Sequence, residues 1–182
     1  MRHIKFVNSI LLIISLFLIT SCSDNSAMKP EDFKNKEPRL IIEEYLTGNV
    51  KAWGVLQNRS GKVTRQFSAD LNGSWDGKQL ILKEKFNWDD GEIQNREWTI
   101  TKIDENNYEG TAGDVVGKAI GYSYGPAFKF EYVLLVPVKG KEMKITFDDW
   151  IFKQDERVAI NRAKMTKFGF KVAELTVVFV KD

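Results

Sequence analysis

From Lys51 onward the chain alternates apolar and polar residues in short runs, and turn residues interrupt it every eight to fifteen positions. A period of two sends successive side chains to opposite faces of an extended strand, whereas a helix needs a period near 3.6. No long stretch carries helical spacing, and no segment recurs at a fixed interval. The chain therefore reads as all-β, with sheets that are dry on one face and wet on the other.

The turns set an expected register. Arg59-Ser60-Gly61 suits a three-residue loop, Asp76-Gly77 a two-residue turn, and Asp89-Asp90-Gly91 three residues ending in glycine. Counting outward pairs Trp53 with Phe67, Val55 with Arg65, Leu71 with Leu82, Phe67 with Phe86, and Leu82 with Trp98. The opposite face carries Thr64, Gln66, Ser68, Lys83 and Lys85, with Lys83 across from Glu97. Further along, Phe128 to Val136, Met143 to Ile151, Val158 with Ile160, and Leu175 to Phe179 give more apolar rows. This amounts to roughly nine or ten strands joined mainly by short loops. Sequential hairpins favour an up-and-down antiparallel β-barrel, which removes exposed edges. A β-sandwich is the alternative. Gly110, Gly113, Gly117, Gly121 and Gly125 are expected near corners, and Leu40 to Leu46 as a short helix or a strand.

The same register places charges on the dry face. Arg65, Glu84 and Arg96 fall there, with Glu84 opposite Arg96, and Asp149 and Arg162 follow in later rows. Buried charges are costly unless paired, so one reading is internal pairing, Glu84 with Arg96 and Asp149 with Arg162. The other leaves an arginine free for a ligand carboxylate or phosphate, which a guanidinium binds with two parallel bonds. Trp53, Phe67, Phe86, Trp98 and Phe130 would then line a cavity, with Arg65 and Arg96 at its polar end and Glu84 orienting Arg96. The acid doublets Asp89-Asp90, Asp148-Asp149 and Asp155-Glu156 are turn or strand neighbours that point apart, which does not suit two-carboxylate catalysis.

The front of the chain gives an address. Arg2 and Lys5 precede an apolar run from Ile10 to Ile19, which ends in Thr20-Ser21-Cys22. About ten apolar residues are too few for the roughly twenty that span a bilayer. Small residues before a cysteine are the pattern of a bacterial lipoprotein signal peptide, with Cys22 the lipidated residue. The expected organisation is a signal peptide over 1–21, a lipidated tether over 22–38, and one barrel domain over 39–182. Ser23 after the cysteine suits cargo sent to the outer membrane, facing the periplasm. Removing Arg2 and Lys5 from 27 basic residues leaves them equal to the 25 acids, so no basic excess remains to attract nucleic acid. The one histidine, His3, goes with the signal, and the one thiol, Cys22, goes to the anchor. Ser-His-Asp and Cys-His nucleophiles, His- or Cys-ligated zinc and dithiol redox chemistry are thereby excluded from the mature chain. No metal, cofactor or catalytic residue is expected.

Several segments carry a family resemblance: Glu43-Glu44-Tyr45-Leu46 through Gly48, Ala52-Trp53-Gly54, Arg59 to Lys62, Asp89-Asp90-Gly91 with Trp98, and Gly113-Asp114-Val115-Val116-Gly117. Phe147-Asp148-Asp149-Trp150 through Asn161-Arg162 to Lys167-Phe168-Gly169 completes them. Together they resemble the bacterial lipoproteins grouped as domain of unknown function 3833, regarded as lipocalin-like. The resemblance spans roughly Leu40 to Phe179. It implies a barrel in the cell envelope and no established activity, and the placement of such genes near fatty-acid-modifying enzymes suggests a lipid connection. The expected function is a monomeric envelope lipoprotein that holds a small fatty-acyl or lipid-derived ligand. The alternatives are an adaptor with a filled barrel that binds an envelope protein, and a lipid-modifying enzyme using carboxylates, Tyr and Arg.

Overall fold

Ten strands follow one another and each pairs antiparallel with its sequence neighbour; the first then pairs with the last. In the computed structural model, residues 27–138 and 140–182 are described. Cys22 and the segment expected as a signal peptide lie outside them. The strands are β1 (Gly48–Asn58), β2 (Val63–Trp75), β3 (Gln79–Trp88), β4 (Ile93–Lys102), β5 (Asn107–Thr111), β6 (Ala119–Tyr124), β7 (Ala127–Val138), β8 (Lys141–Lys153), β9 (Val158–Lys167) and β10 (Phe170–Lys181). Pairing of β1 with β10 closes the sheet into an up-and-down barrel, so the sandwich alternative falls.

Two short strands leave a gap in the wall. β5 and β6 have 5 and 6 residues, so the later half of β7 and the first half of β4 lack a full partner on one side. The loop between β5 and β6 fills the space. Its Val116 N–H donates to the Val133 carbonyl (2.8 Å), and the Leu135 N–H donates to the Asp114 carbonyl (2.9 Å).

One end of the barrel is plugged by the segment before β1. Residues Pro30–Phe33 form a 3-10 turn within the stretch expected as tether, and Phe33 packs on Trp150 and Phe152 outside the barrel. Helix α1 (Ile42–Leu46) follows and buries Ile42, Tyr45 and Leu46. Gly73 admits it: a Cβ there would stand 2.0 Å from the Leu46 carbonyl oxygen. The Lys181 ammonium donates to the carbonyls of Glu44, Tyr45 and Thr47, which have no partner within so short a helix. The Tyr45 hydroxyl donates to the Arg157 carbonyl (2.9 Å). The carboxylate of Glu43, only 5% exposed, accepts from the Tyr108 hydroxyl (2.9 Å) and from Lys102. Burial alone would raise its pKa; these donors outweigh burial and hold it below the usual value.

Three parts of the expected register are corrected. Near the first turn Gln57 pairs with Val63, as the loop length requires, but a β-bulge between Leu56 and Gln57 shifts the rest by one. Trp53 therefore pairs with Ser68 and points outward, 50% exposed beside Val178. Gly54 takes its place opposite Phe67, where a Cβ would stand 2.3 Å from the ring. Between β2 and β3 the register slips by two, because the Asp76 carboxylate accepts the N–H groups of Lys78 (2.8 Å) and Gln79 (2.7 Å) and moves the turn on. Phe67 thus faces Trp88 and Leu71 faces Glu84, and no side chain changes face. On β9 the dry row is Ala159, Asn161 and Ala163, not Val158, Ile160 and Arg162, because the register pairs Asn161 with Ile151 and Ala163 with Asp149, and the Asn161 amide bonds to Asp149 inside. Arg162 lies outside and pairs with Glu174, so it does not meet Asp149.

Glu43→Ala leaves Lys102 and the Tyr108 hydroxyl without their acceptor at the plug, and costs about 3 kcal/mol in denaturant unfolding. A folded-state pKa below the unfolded value adds stability above the unfolded pKa, and this is lost as pH falls through the folded value. The gap between wild type and Glu43→Gln is therefore open at pH 7 and closes at strongly acid pH. A constant gap across that range would show that the carboxylate charge contributes nothing.

Candidate ligand-binding cavity

Inside the barrel, above the α1 plug, lies an apolar chamber of about 100 Å³. Phe67, Leu82, Trp98, Phe128 and Phe130 form much of its wall. The rings meet edge-on or tilted, with Trp98 5.2 Å from Phe130 and Phe67 5.2 Å from Phe86. A second space of about 230 Å³ opens from it toward the far end of the barrel, where Leu56, Trp88, Val136 and Met165 surround the mouth. The two share Phe67, Phe86, Arg96, Tyr132 and Leu175, so they are one cleft with a waist.

The polar groups sit at that waist. Glu84 and Arg96 face each other across β3 and β4, as the third turn predicts. Arg96 Nη1 stands 3.9 Å from Glu84 Oε2, beyond hydrogen-bond reach. The rest of the guanidinium is held by Asp114 of the wall-filling loop, with Nη2 2.7 Å and Nε 3.1 Å from Oδ2. This ion pair ties β4 to the loop where the main-chain ladder is missing. Asp149 accepts from the Tyr132 hydroxyl (2.8 Å) and from the Asn161 amide. Burial pushes the Glu84 carboxyl up to about 7 and also raises Asp149. Glu84 Oε2 and Asp114 Oδ1 are buried without a hydrogen-bond partner.

Of the residues expected to line the cavity, Phe67, Phe86, Trp98 and Phe130 do so, together with Glu84 and Arg96. Trp53 does not. Arg65 lies at the mouth, where its guanidinium stacks 4.0 Å over Trp88 and binds Asp90 and Glu92, each at 2.8 Å. Both arginines thus have acid partners. Asp114 and Asn161 were not anticipated as site residues. The clue to Asp114 was local: an acid beside Val115 and Val116, in a loop bounded by glycines, is a poor candidate for a solvated turn. Among the described residues, no group of three His, Cys, Asp or Glu side chains is placed to hold a metal ion.

Known structures share this architecture. A protein with unknown function from the DUF3598 family of Nostoc punctiforme aligns with a TM-score of 0.60 at 16% identity, over 81% of this chain and 51% of its own. This chain thus spans about half the length of that protein. The S-type phycobiliprotein lyase CPES of Guillardia theta aligns with a TM-score of 0.56 at 9% identity, over 86% of this chain and 94% of its own. At such identities the likeness is one of fold alone. No curated protein matches the sequence. A family match does extend over residues 16–181, nearly the whole chain, and its description is "Protein of unknown function (DUF3833)"; the chain belongs to that family.

Proposed function

We propose that the barrel holds one small, mainly apolar ligand, fatty-acyl or lipid-derived, with its chain among the rings and an uncharged polar end at the waist. The observation that carries this is the unmatched pair of Glu84 Oε2 and Arg96 Nη1, 3.9 Å apart where the chamber meets the mouth. A hydroxyl between them accepts from Arg96 and donates to Glu84, and a protonated carboxyl does the same. A free carboxylate is less welcome, because Asp114 already engages Arg96 and Glu84 and Asp149 stand close. Apolar walls with a few orienting polar groups are the usual composition of small-ligand sites. The lipid on Cys22 would hold the barrel at the outer membrane, on its periplasmic side, where such ligands are plentiful.

A second reading has one observation in its favour. The inner chamber of about 100 Å³ holds only a few waters, as a nearly filled barrel would. On that reading the lipoprotein is an adaptor for another envelope protein.

The test is tryptophan fluorescence and native mass spectrometry of delipidated protein with a fatty alcohol, a monoacylglycerol and a fatty acid. The alcohol and the monoacylglycerol bind at pH 8, while the fatty acid binds better as pH falls through about 7 and Glu84 gains its proton. No bound species and no fluorescence change with any of the three rejects ligand binding and leaves the adaptor reading.

Glu84→Gln separates stability from recognition. An acid whose folded pKa is raised destabilises the fold as pH climbs above its unfolded value, and the penalty levels off above the folded one. The substitution therefore stabilises by about 2–3 kcal/mol at pH 8 and changes little at pH 4. It also flattens the pH dependence of fatty-acid binding. For the anchor, growth with labelled palmitate marks the wild-type chain and not Cys22→Ser; equal labelling would sink the lipidation proposal.

A further inference from the structure

The open end of the barrel carries an arrangement that the fold itself does not need. The hairpin between β9 and β10 turns on two residues, Phe168 and Gly169, flanked by the Lys167–Phe170 pair. Both turn residues have positive φ, 52° and 81°. Such a turn ordinarily takes Asn-Gly, and a bulky ring in the left-handed region is strained. Phe168 nevertheless occupies it, 89% exposed, with Phe170 beside it 75% exposed. Strain and exposure together bring no contact that supports the barrel.

The neighbouring residues explain what would reward it. The adjacent β1–β2 hairpin adds Val63, 44% exposed, and the bases Arg59 and Lys62. On the β9–β10 hairpin the bases are Lys164, Lys167 and Lys171; Lys171 is paired with Glu174 and Lys164 with Asp148 (3.4 Å), and residues 59–63 and 167–173 include no acid. The acidic hairpin at this end, Asp89 to Glu92, joins β3 and β4 beyond β2 and is partly neutralised by Arg65. The result is an apolar crest with a basic collar, beside a mouth lined by Val136, Pro137 and Met165. Aromatic tips with Lys and Arg around them match an interface of buried acyl chains and anionic headgroups, where each basic residue near the surface contributes about fivefold in partitioning.

We infer that this crest docks on an anionic lipid bilayer, with Phe168 and Phe170 sunk among the headgroups and Arg59, Lys62 and Lys167 against lipid phosphates. Docking brings the cleft mouth to the bilayer surface. The inference stands on the rim alone and does not require the ligand reading.

The experiment uses the full chain carrying Cys22→Ser and Phe170→Cys, so that the sole thiol at the rim takes an environment-sensitive probe. On phosphatidylglycerol vesicles the emission shifts to the blue and lipid-borne nitroxides quench it; on pure phosphatidylcholine it does not shift. Reversing Arg59, Lys62 and Lys167 to Glu abolishes the shift. Phe168→Asn, which accepts the left-handed conformation, also loses it while raising the thermal midpoint. A probe that stays in water on anionic vesicles overturns the inference, including the case where an added envelope protein then covers it. So does an equal shift on both lipids, or a charge-reversed variant that behaves like its parent. A lower midpoint for Phe168→Asn would remove the strain argument. Ligand titrations of the same variants in solution report on the cleft separately.

Discussion

Pairing of β1 with β10 is the constraint from which the rest of the molecule follows. Once ten strands close, free edge remains only beside the short β5 and β6, but the enclosed space is wider than aliphatic side chains can fill. β7 answers with Phe128, Phe130 and Tyr132 in one row, and β2 adds Phe67. Rings of that size need small residues opposite, which is why Gly54 lies beneath Phe67 and Gly110 beneath Phe130. Even so, the strands cannot fill their own ends. One end takes the α1 plug, and the other stays open above the waist.

The interior polar residues are tied to the same closure. β5 and β6 are too short to complete the wall, so Arg96 and Asp114 join it by side chains. A guanidinium placed there for structure must keep an acid, and Asp114 provides it. Glu84 is then surplus to neutrality, buried with one oxygen unpaired, and its pKa rises because burial disfavours the charged form, with Asp149 and Asp114 adding to the rise. A structural repair thereby leaves a reactive-looking acceptor facing a cleft.

Legibility in the sequence tracked how local the deciding force was. The β3–β4 hairpin was read in register, down to Glu84 opposite Arg96 and Lys83 opposite Glu97, because its turn and both strands are regular. The β1–β2 pairing failed at Trp53 because a bulge inside a strand leaves no mark in turn residues. On β9, Val158 and Ile160 outweigh alanines in any hydrophobic count, yet Ala159, Asn161 and Ala163 face inside, where Asn161 meets Asp149. The pairings of Asp114 and Glu43 are out of reach for another reason. Their partners, Arg96 and Lys102 with Tyr108, lie 18 or more residues away, and only closure brings them together.

The two ends of the barrel differ in how their polar and apolar groups are satisfied. At the plugged end Glu43 has two donors, Lys181 answers three helix carbonyls, and Leu40, Ile42 and Leu80 are fully covered. Toward the open end, orphan atoms remain on Arg65, Glu84 and Asp114, and large apolar residues stand in water at Ile93, Phe168 and Phe170. A sequence shaped for stability alone would correct both kinds of defect, the first with an apolar or paired side chain and the second with polar turn residues. Ile103 is exposed at the plugged end too, so it is the orphan atoms, all toward one mouth, that tie an unexplained cost of this molecule to what meets it there.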